Sequence, residues 1–352
     1  MKNKLPLWGY DYCVKDGVLW FVHGVLNVLI GCNLTNGKIE KVRKIPVERK
    51  MGIGFTCICN YNNLLYLMPC NGAEAIVEYN ICDDNFVIYN WGLYGYRKAF
   101  VIQDVIYGIP TDGLSFSKVS LGKLCYEKIE PSFKNIIQDN VSIINAVVIE
   151  SRIVCVVNKS SIIIIWDTVN DKFEIKEIGE GNYSFRSIAS INNRVYLADS
   201  QNGNVIVVDT DQYIICDVIQ LVNRSCVYTM FSMDSQLLCA ELCEYKHMLI
   251  VFQENGRVIS QELLESITSD LQNNFFYTYV VCDVENERDI IVNGSNNKLI
   301  IWKRGRKERE IEIELTDDDI LNISNCSYLE KEVLRENELL DLNWFIRHSI
   351  NN

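Results

Sequence analysis

Three histidines, His23, His247 and His348, are all that the chain offers for imidazole chemistry. His23 and His247 fall where loops between second and third strands are predicted, so they could share a face. A metal triad there would need carboxylates or cysteines, and the spacing Cys243-x3-His247 is too little for a zinc site. The polar stretches DSQNGN (199–204) and NGSNNK (293–298) read as turns without the carboxylate density of a calcium loop. No phosphate-cradling glycine loop and no GxSxG occurs. No catalytic residue, no metal site and no cofactor is expected.

Binding chemistry is better represented. The stretch NWGLYGYRKAF carries Trp91, Tyr94, Tyr96 and Arg97, and GEGNYSFRSI carries Tyr183 and Arg186. Arg97 lies ten residues before Tyr107, and Arg186 ten before Tyr196. Both therefore take the same place, near the start of an inner strand. Arg49 and Arg224 sit in corresponding linkers at looser registers. A strand entry is an awkward place for an unpaired charge, so two readings follow. One pairs the arginines with carboxylates such as Asp104, Asp112 or Asp199. The other makes them, with the aromatics, a rim for an acidic peptide, a carboxylate or a phosphorylated group.

The elements that must hold these residues are short strands. Residues 182–219 read as four of them, separated by Asn, Gly and Asp turns. The unit repeats. Its anchor, an apolar pair in the second strand, recurs at Leu19-Trp20, Leu65-Tyr66, Ile106-Tyr107, Ile153-Val154, Val195-Tyr196, Leu237-Leu238 and Ile290-Ile291. The intervals are 46, 41, 47, 42, 42 and 53 residues, a period of four-stranded propeller blades. Third strands end at Asn33, Asn80, Asp167 and Asp209, and predicted outer strands alternate charged with apolar residues. The long sixth interval places extra residues at 261–274, expected to form a helical turn. Little or no strand exchange is expected between the first and last units.

The strand pattern, with VIVVDT and IIIIWDT at third-strand ends, resembles seven-bladed β-propellers of the broad WD40-like or YVTN-like kind. No Gly-His dipeptide occurs, Trp-Asp appears once, at Trp166-Asp167, and there is no Gly-Gly pair. The resemblance implies an all-β fold of seven four-stranded antiparallel blades, at roughly 7–46, 52–90, 96–130, 141–179, 183–221, 226–264 and 275–315, with binding along one face or in the central channel. An acidic helical tail is expected over 316–352. Thr316 and Asp319 fit a capping box, and a second helix over 327–348 would carry Leu329, Val333, Leu340 and Trp344 on one stripe for docking to the propeller or to a partner.

The net charge of −12 argues against nucleic acid as a partner. Twelve acidic and four basic residues between Glu308 and Asn352 supply −8 of it. The basic cluster Lys303–Lys307 reads as a solvated hairpin tip. No apolar run is long enough for a membrane span, and the N-terminal residues lack the apolar core of a signal peptide, so a cytoplasmic protein is expected. Fourteen cysteines without a CxxC pair are expected to be reduced and to serve as small core hydrophobes. The expected function is a protein- or peptide-binding scaffold. The alternative is a lyase or hydrolase acting on an anionic sugar or peptide in the channel.

Overall fold

Asparagine and aspartate shape the blades from their turns. Asn33, Asn80, Asp167 and Asp209 each close a third strand, and each Oδ1 accepts from the backbone two and three residues on. The first of these bonds measures 2.7, 2.9, 2.9 and 2.9 Å respectively. A side chain that mimics a backbone turn in this way reverses the chain at once. The hairpin joining first and second strands uses the left-handed tolerance of the same residue types, with φ of 52° at Asp16, 55° at Asn62 and 51° at Asn192. In two blades a threonine ties these turns together. Thr168 Oγ1 donates to the Ser151 carbonyl at 2.7 Å, and Thr210 Oγ1 to the Asn193 carbonyl at 3.0 Å. The Asp-Thr pairs that end IIIIWDT and VIVVDT are thus the joints of a blade's lower end.

A computed structural model describes residues 7–24, 26–47, 54–93, 95–123, 125–132, 141–179, 183–221, 226–233, 237–243, 247–264, 278–294 and 297–326. These residues form seven sheets of four antiparallel strands, each ordered as in the sequence, the arrangement of a seven-bladed β-propeller. The inner strands are Gly9–Lys15, Phe55–Tyr61, Tyr96–Ile102, Ile143–Ile149, Phe185–Ile191, Cys226–Met233 and Thr278–Asp283. Among the described residues the first and seventh blades are each built from their own four consecutive strands, without exchange between them.

The chain divides into two compact units. One comprises Met1–Gly108, Lys118–Tyr126 and Tyr277–Asn352, the other Ile109–Ser117 and Glu127–Phe276. In the first, the inner strand of blade 1 lies beside those of blades 7 and 2, and that of blade 2 beside blade 3. In the second, blades 4, 5 and 6 adjoin in order. Second and third strands are buried on both faces, and the core lies between neighbouring blades: Val154, Ile163 and Ile165 of blade 4 pack with Phe185, Leu197 and Ile206 of blade 5. Each such aliphatic side chain contributes about 1.5–3 kcal/mol on burial.

The seventh blade meets the first through side chains. Leu7 N donates to Asn297 Oδ1 at 2.7 Å, Lys15 pairs with Glu285 at 3.0 Å, and Arg309 Nη2 donates to the Leu34 carbonyl at 3.1 Å. Gly24 is required here, because a Cβ on it would lie 2.1 Å from Trp8 Cζ3. After the seventh blade Thr316 caps a helix, Asp317–Cys326, with Asp319 N donating to Thr316 Oγ1 at 3.1 Å and Thr316 N to Asp319 Oδ2 at 2.9 Å. The helix buries Ile323 and packs on the outer strand of blade 1, Ile39–Lys44. An otherwise open sheet edge is covered in this way.

Some expectations change. Residues 261–264 continue the outer strand Val258–Leu264 instead of forming a helical turn, while 265–277 lie outside the described residues. Cys13, Cys57, Cys59, Cys155 and Cys239 are core thiols, but Cys216 and Cys282 are exposed, since alternation in those strands turns them outward. Arg304 and Gly305 form the tip of a hairpin, and Arg304, Arg306 and Lys307 are exposed. Among the described residues no helix is long and apolar enough to cross a membrane.

Candidate functional site

An inner strand pairs with a neighbour on one side only, so part of its backbone must find other partners. One register position supplies them. In blade 5, Phe185 pairs with Asp199 and Ser187 with Ala198, which leaves Arg186 as the extra residue of a β-bulge. The same bulge recurs in blade 2 at Thr56 and in blade 4 at Ile144. The residue after it is Cys57, Asn145 or Ser187. Asp11 and Lys98 are likewise third in their strands. In blade 6 the equivalent residue is Thr229, and in blade 7, which lacks the bulge, Tyr279. Every blade therefore places a polar or thiol side chain at this level.

In the second unit this position joins blades. Asn145 Nδ2 donates to Ser187 Oγ at 3.1 Å, and Ser187 Oγ accepts from Met230 N at 3.0 Å. Ser187 is buried, so the Met230 amide is satisfied without water.

In the first unit the same register carries charge. Asp11 Oδ2 accepts from Ile58 N at 3.3 Å, the counterpart of the Ser187–Met230 bond. Tyr279 Oη makes a short hydrogen bond to Asp11 Oδ1. Lys98 Nζ donates to Tyr279 Oη at 2.5 Å, lies 4.8 Å from that ring's centroid and 3.9 Å from Asp11 Oδ1. Burial raises the Asp11 carboxyl above the usual carboxylate range, against the opposing pull of Lys98, Tyr279 and the Ile58 amide. Burial also lifts the Cys13, Cys57 and Cys59 thiols and the Tyr279 phenol well above their ordinary values, with the Asp11 charge adding to the rise. These thiols and the phenol stay neutral at physiological pH and are poor nucleophiles.

Arg97 and Arg186 are second in their strands and half-buried, one residue before this polar position. Asp199 in the second unit is held by its own turn, accepting from Ser184 N at 3.3 Å, Gln201 N at 3.1 Å and Asn202 Nδ2 at 2.8 Å, rather than by an arginine. Asp104 and Asp112 appear through their backbones, Asp104 accepting from Leu121 N and Asp112 bridging to Ser142. The predicted aromatics divide differently. Trp91 stacks between Tyr89 and Tyr126, at 5.1 and 6.0 Å between ring centroids, and so joins the outer strands of blades 2 and 3. Tyr96 is a buried core residue, and Tyr183 stacks on Phe185 against the core between blades 4 and 5. Tyr94, Arg49, Arg224, Leu329, Val333, Leu340 and Trp344 lie outside the described residues.

His23 is buried at the end of a second strand, where Nδ1 accepts from Leu26 N at 3.2 Å and closes the turn. Among the described residues no group of His, Cys, Asp and Glu could hold a metal ion. Asp11, Lys98 and Tyr279 share no residue type or local motif, and only the register of three separate inner strands brings them together. The available signal was positional: Asp11 and Lys98 each lie nine residues before the second residue of their anchor pair.

The fold is that of a seven-bladed β-propeller. No protein-family model matches the chain, and no curated protein is similar to it in sequence. Solved structures are similar. Hsv2 of Kluyveromyces lactis matches with a TM-score of 0.59 and 12% identity, over 87% of this chain and 99% of that one. The WD40 propeller domain of Doa1 matches with a TM-score of 0.57 and 15% identity, over 86% and 95%. The propeller domain of Myceliophteria thermophila Cps50 (Swd1) gives 0.58 and 11%, over 84% and 96%. At these identities the likeness is one of fold.

Proposed function

We propose that this propeller is a non-enzymatic scaffold that binds an acidic protein or peptide segment at the end of the blades where the inner strands begin. The observation that carries the reading is the recurrence of arginine at one register. Arg97 and Arg186 both occupy the second place of their inner strands, beside a polar position that also holds Lys98. Two cations repeated at equivalent places favour an anionic partner, through charge-assisted hydrogen bonds. Asp11, the buried carboxylate nearby, is already engaged by Tyr279 and the Ile58 amide, which suits a structural role better than that of a general base. Seven cysteines, among them Cys13, Cys57, Cys59 and Cys155, are buried as core thiols, which suits a reducing, cytoplasmic setting.

The test is selection from a random peptide library with the full chain, repeated with Arg97→Ala and Arg186→Ala. The expected result is enrichment of acidic peptides by the wild type and loss of that enrichment in either variant. Selected peptides without acidic bias, or identical selections by the variants, would refute the reading.

A further inference from the structure

Lys98 is fixed by the fold before any ligand arrives. Its ammonium donates to Tyr279 Oη at 2.5 Å and lies over the same ring, and Tyr279 is itself held by Asp11. One of three ammonium donors is used in this way, and the side chain remains 19% exposed. An ordered cation with spare donors needs little further ordering on binding. Among the described residues its counter-charge is Asp11, at 3.9 Å, which is longer than a hydrogen bond.

We propose that Lys98 takes a carboxylate of the bound segment, and that Asp11 is the counter-ion this carboxylate replaces. The inference rests on the acidic-partner reading above. It adds a proton. Two carboxylates beside one ammonium in a buried setting do not both stay ionised at low cost. The groups facing Asp11 are Lys98 on the inner strand of blade 3, Tyr279 on that of blade 7, Tyr12 and Cys13 on its own strand, and Cys57 and Cys59 on that of blade 2. Burial keeps the phenols and thiols neutral, so Lys98 and Asp11 are the charged groups of this set. The proton taken up on binding therefore goes to the Asp11 carboxyl, where it can be shared with Tyr279 Oη. Burial has already raised that carboxyl's affinity for protons. Binding should accordingly weaken as pH rises through the Asp11 pKa, by up to about tenfold per pH unit for one coupled proton.

The probe is an acetylated hexaglutamate peptide, titrated calorimetrically into the full chain at pH 5.5, 6.5 and 7.5, in two buffers of different ionisation enthalpy to count protons. The wild type is expected to bind more tightly at the lower pH values, with net proton uptake. Lys98→Met should weaken binding at least about tenfold, a loss typical of a charge-assisted contact. Asp11→Asn should bind more tightly than the wild type at pH 7.5, with a flat pH profile and reduced uptake. Absence of hexaglutamate binding, unchanged binding by Lys98→Met, or a pH slope kept by Asp11→Asn would each overturn the proposal. If Asp11→Asn does not fold, the proton count of the wild type decides, and zero uptake overturns it. Should peptide selection remain acidic and dependent on Arg97 and Arg186 while Lys98→Met binds normally, the scaffold reading stands and this placement falls.

Discussion

Ser187→Ala isolates what the shared inner-strand position does for stability. The substitution removes one oxygen and leaves volume nearly unchanged, so cavity effects are small. Two donors lose their acceptor. Met230 N, at 3.0 Å, belongs to a buried residue of a strand with no sheet partner on that side, and an unpaired buried amide costs about 1–3 kcal/mol. Asn145 Nδ2, at 3.1 Å, is half-buried and can turn towards water, so its loss adds less than about 0.5 kcal/mol. The expected destabilisation is about 2 kcal/mol. Ser190→Ala, in the same strand but without such a bond, should cost under about 0.5 kcal/mol. Urea unfolding followed by tryptophan fluorescence gives the global change. Hydrogen exchange of the segment Cys226–Met233 gives the local one, since 2 kcal/mol of easier opening corresponds to roughly thirtyfold faster exchange. In a double-mutant cycle, Asn145→Ala and Ser187→Ala should couple by about 0.5 kcal/mol or more. A loss below about 0.5 kcal/mol with unchanged exchange at Met230 would mean that the hydroxyl is not the joint between blades 5 and 6.

Other consequences are equally direct. Asp84 accepts from Arg43 Nε at 2.7 Å, Lys41 Nζ at 2.9 Å and Tyr79 Oη at 2.6 Å, and the Arg43 guanidinium in particular holds its carboxyl well below the usual range. A depressed carboxylate contributes stability above its unfolded pKa of about 4 and loses it as pH falls below that value. Asp84→Asn should therefore cost about 1 kcal/mol at pH 7, discounted for partial exposure, and flatten the acid limb of an unfolding-midpoint profile. Thr168→Val and Thr210→Val, each removing a hydroxyl bond between turns of one blade, should cost about 1 kcal/mol apiece in chemical denaturation, and their effects should add because they share no partner. Gly24→Ala drives a methyl into the Trp8 ring and should lower stability by about 1–3 kcal/mol, with a change in tryptophan emission.

Much of the fold was legible because turn chemistry and strand period are local. Each anchor pair, from Leu19-Trp20 to Ile290-Ile291, lies in a second strand, and the Asn or Asp closing a third strand makes the turn that its type predicts. The capping box at Thr316 was legible for the same reason. The aromatics near the linkers were harder. Trp91, Tyr96 and Tyr183 read as rim residues because they precede inner strands. Yet blades that splay outward leave wedge-shaped gaps between neighbours, and large rings fill them: Trp91 bridges two outer strands, and Tyr183 lies against the core between blades. Linker position alone does not separate a ring that faces a ligand from one that faces the next blade.

The polar inner position was hidden for a different reason. Its occupants are Asp11, Cys57, Lys98, Asn145, Ser187, Thr229 and Tyr279, seven residue types in seven blades. No composition rule links them. What they share is a place: in the first six blades each lies nine residues before the second residue of the anchor pair, and in the seventh a 3-10 turn, Val284–Asn286, lengthens the hairpin while the bulge is lost. The demand on that place comes from the backbone, since an inner strand must satisfy groups on the side where no strand pairs with it. A hydroxyl meets the demand in blade 5 and a carboxylate in blade 1, where Ser187 and Asp11 accept from the equivalent amides of Met230 and Ile58. Because several side chains can meet the same backbone requirement, the position accepts charged as well as neutral groups. Asp11 and Lys98 stand at a register that elsewhere holds neutral groups, so their charges exceed what the joint between blades requires.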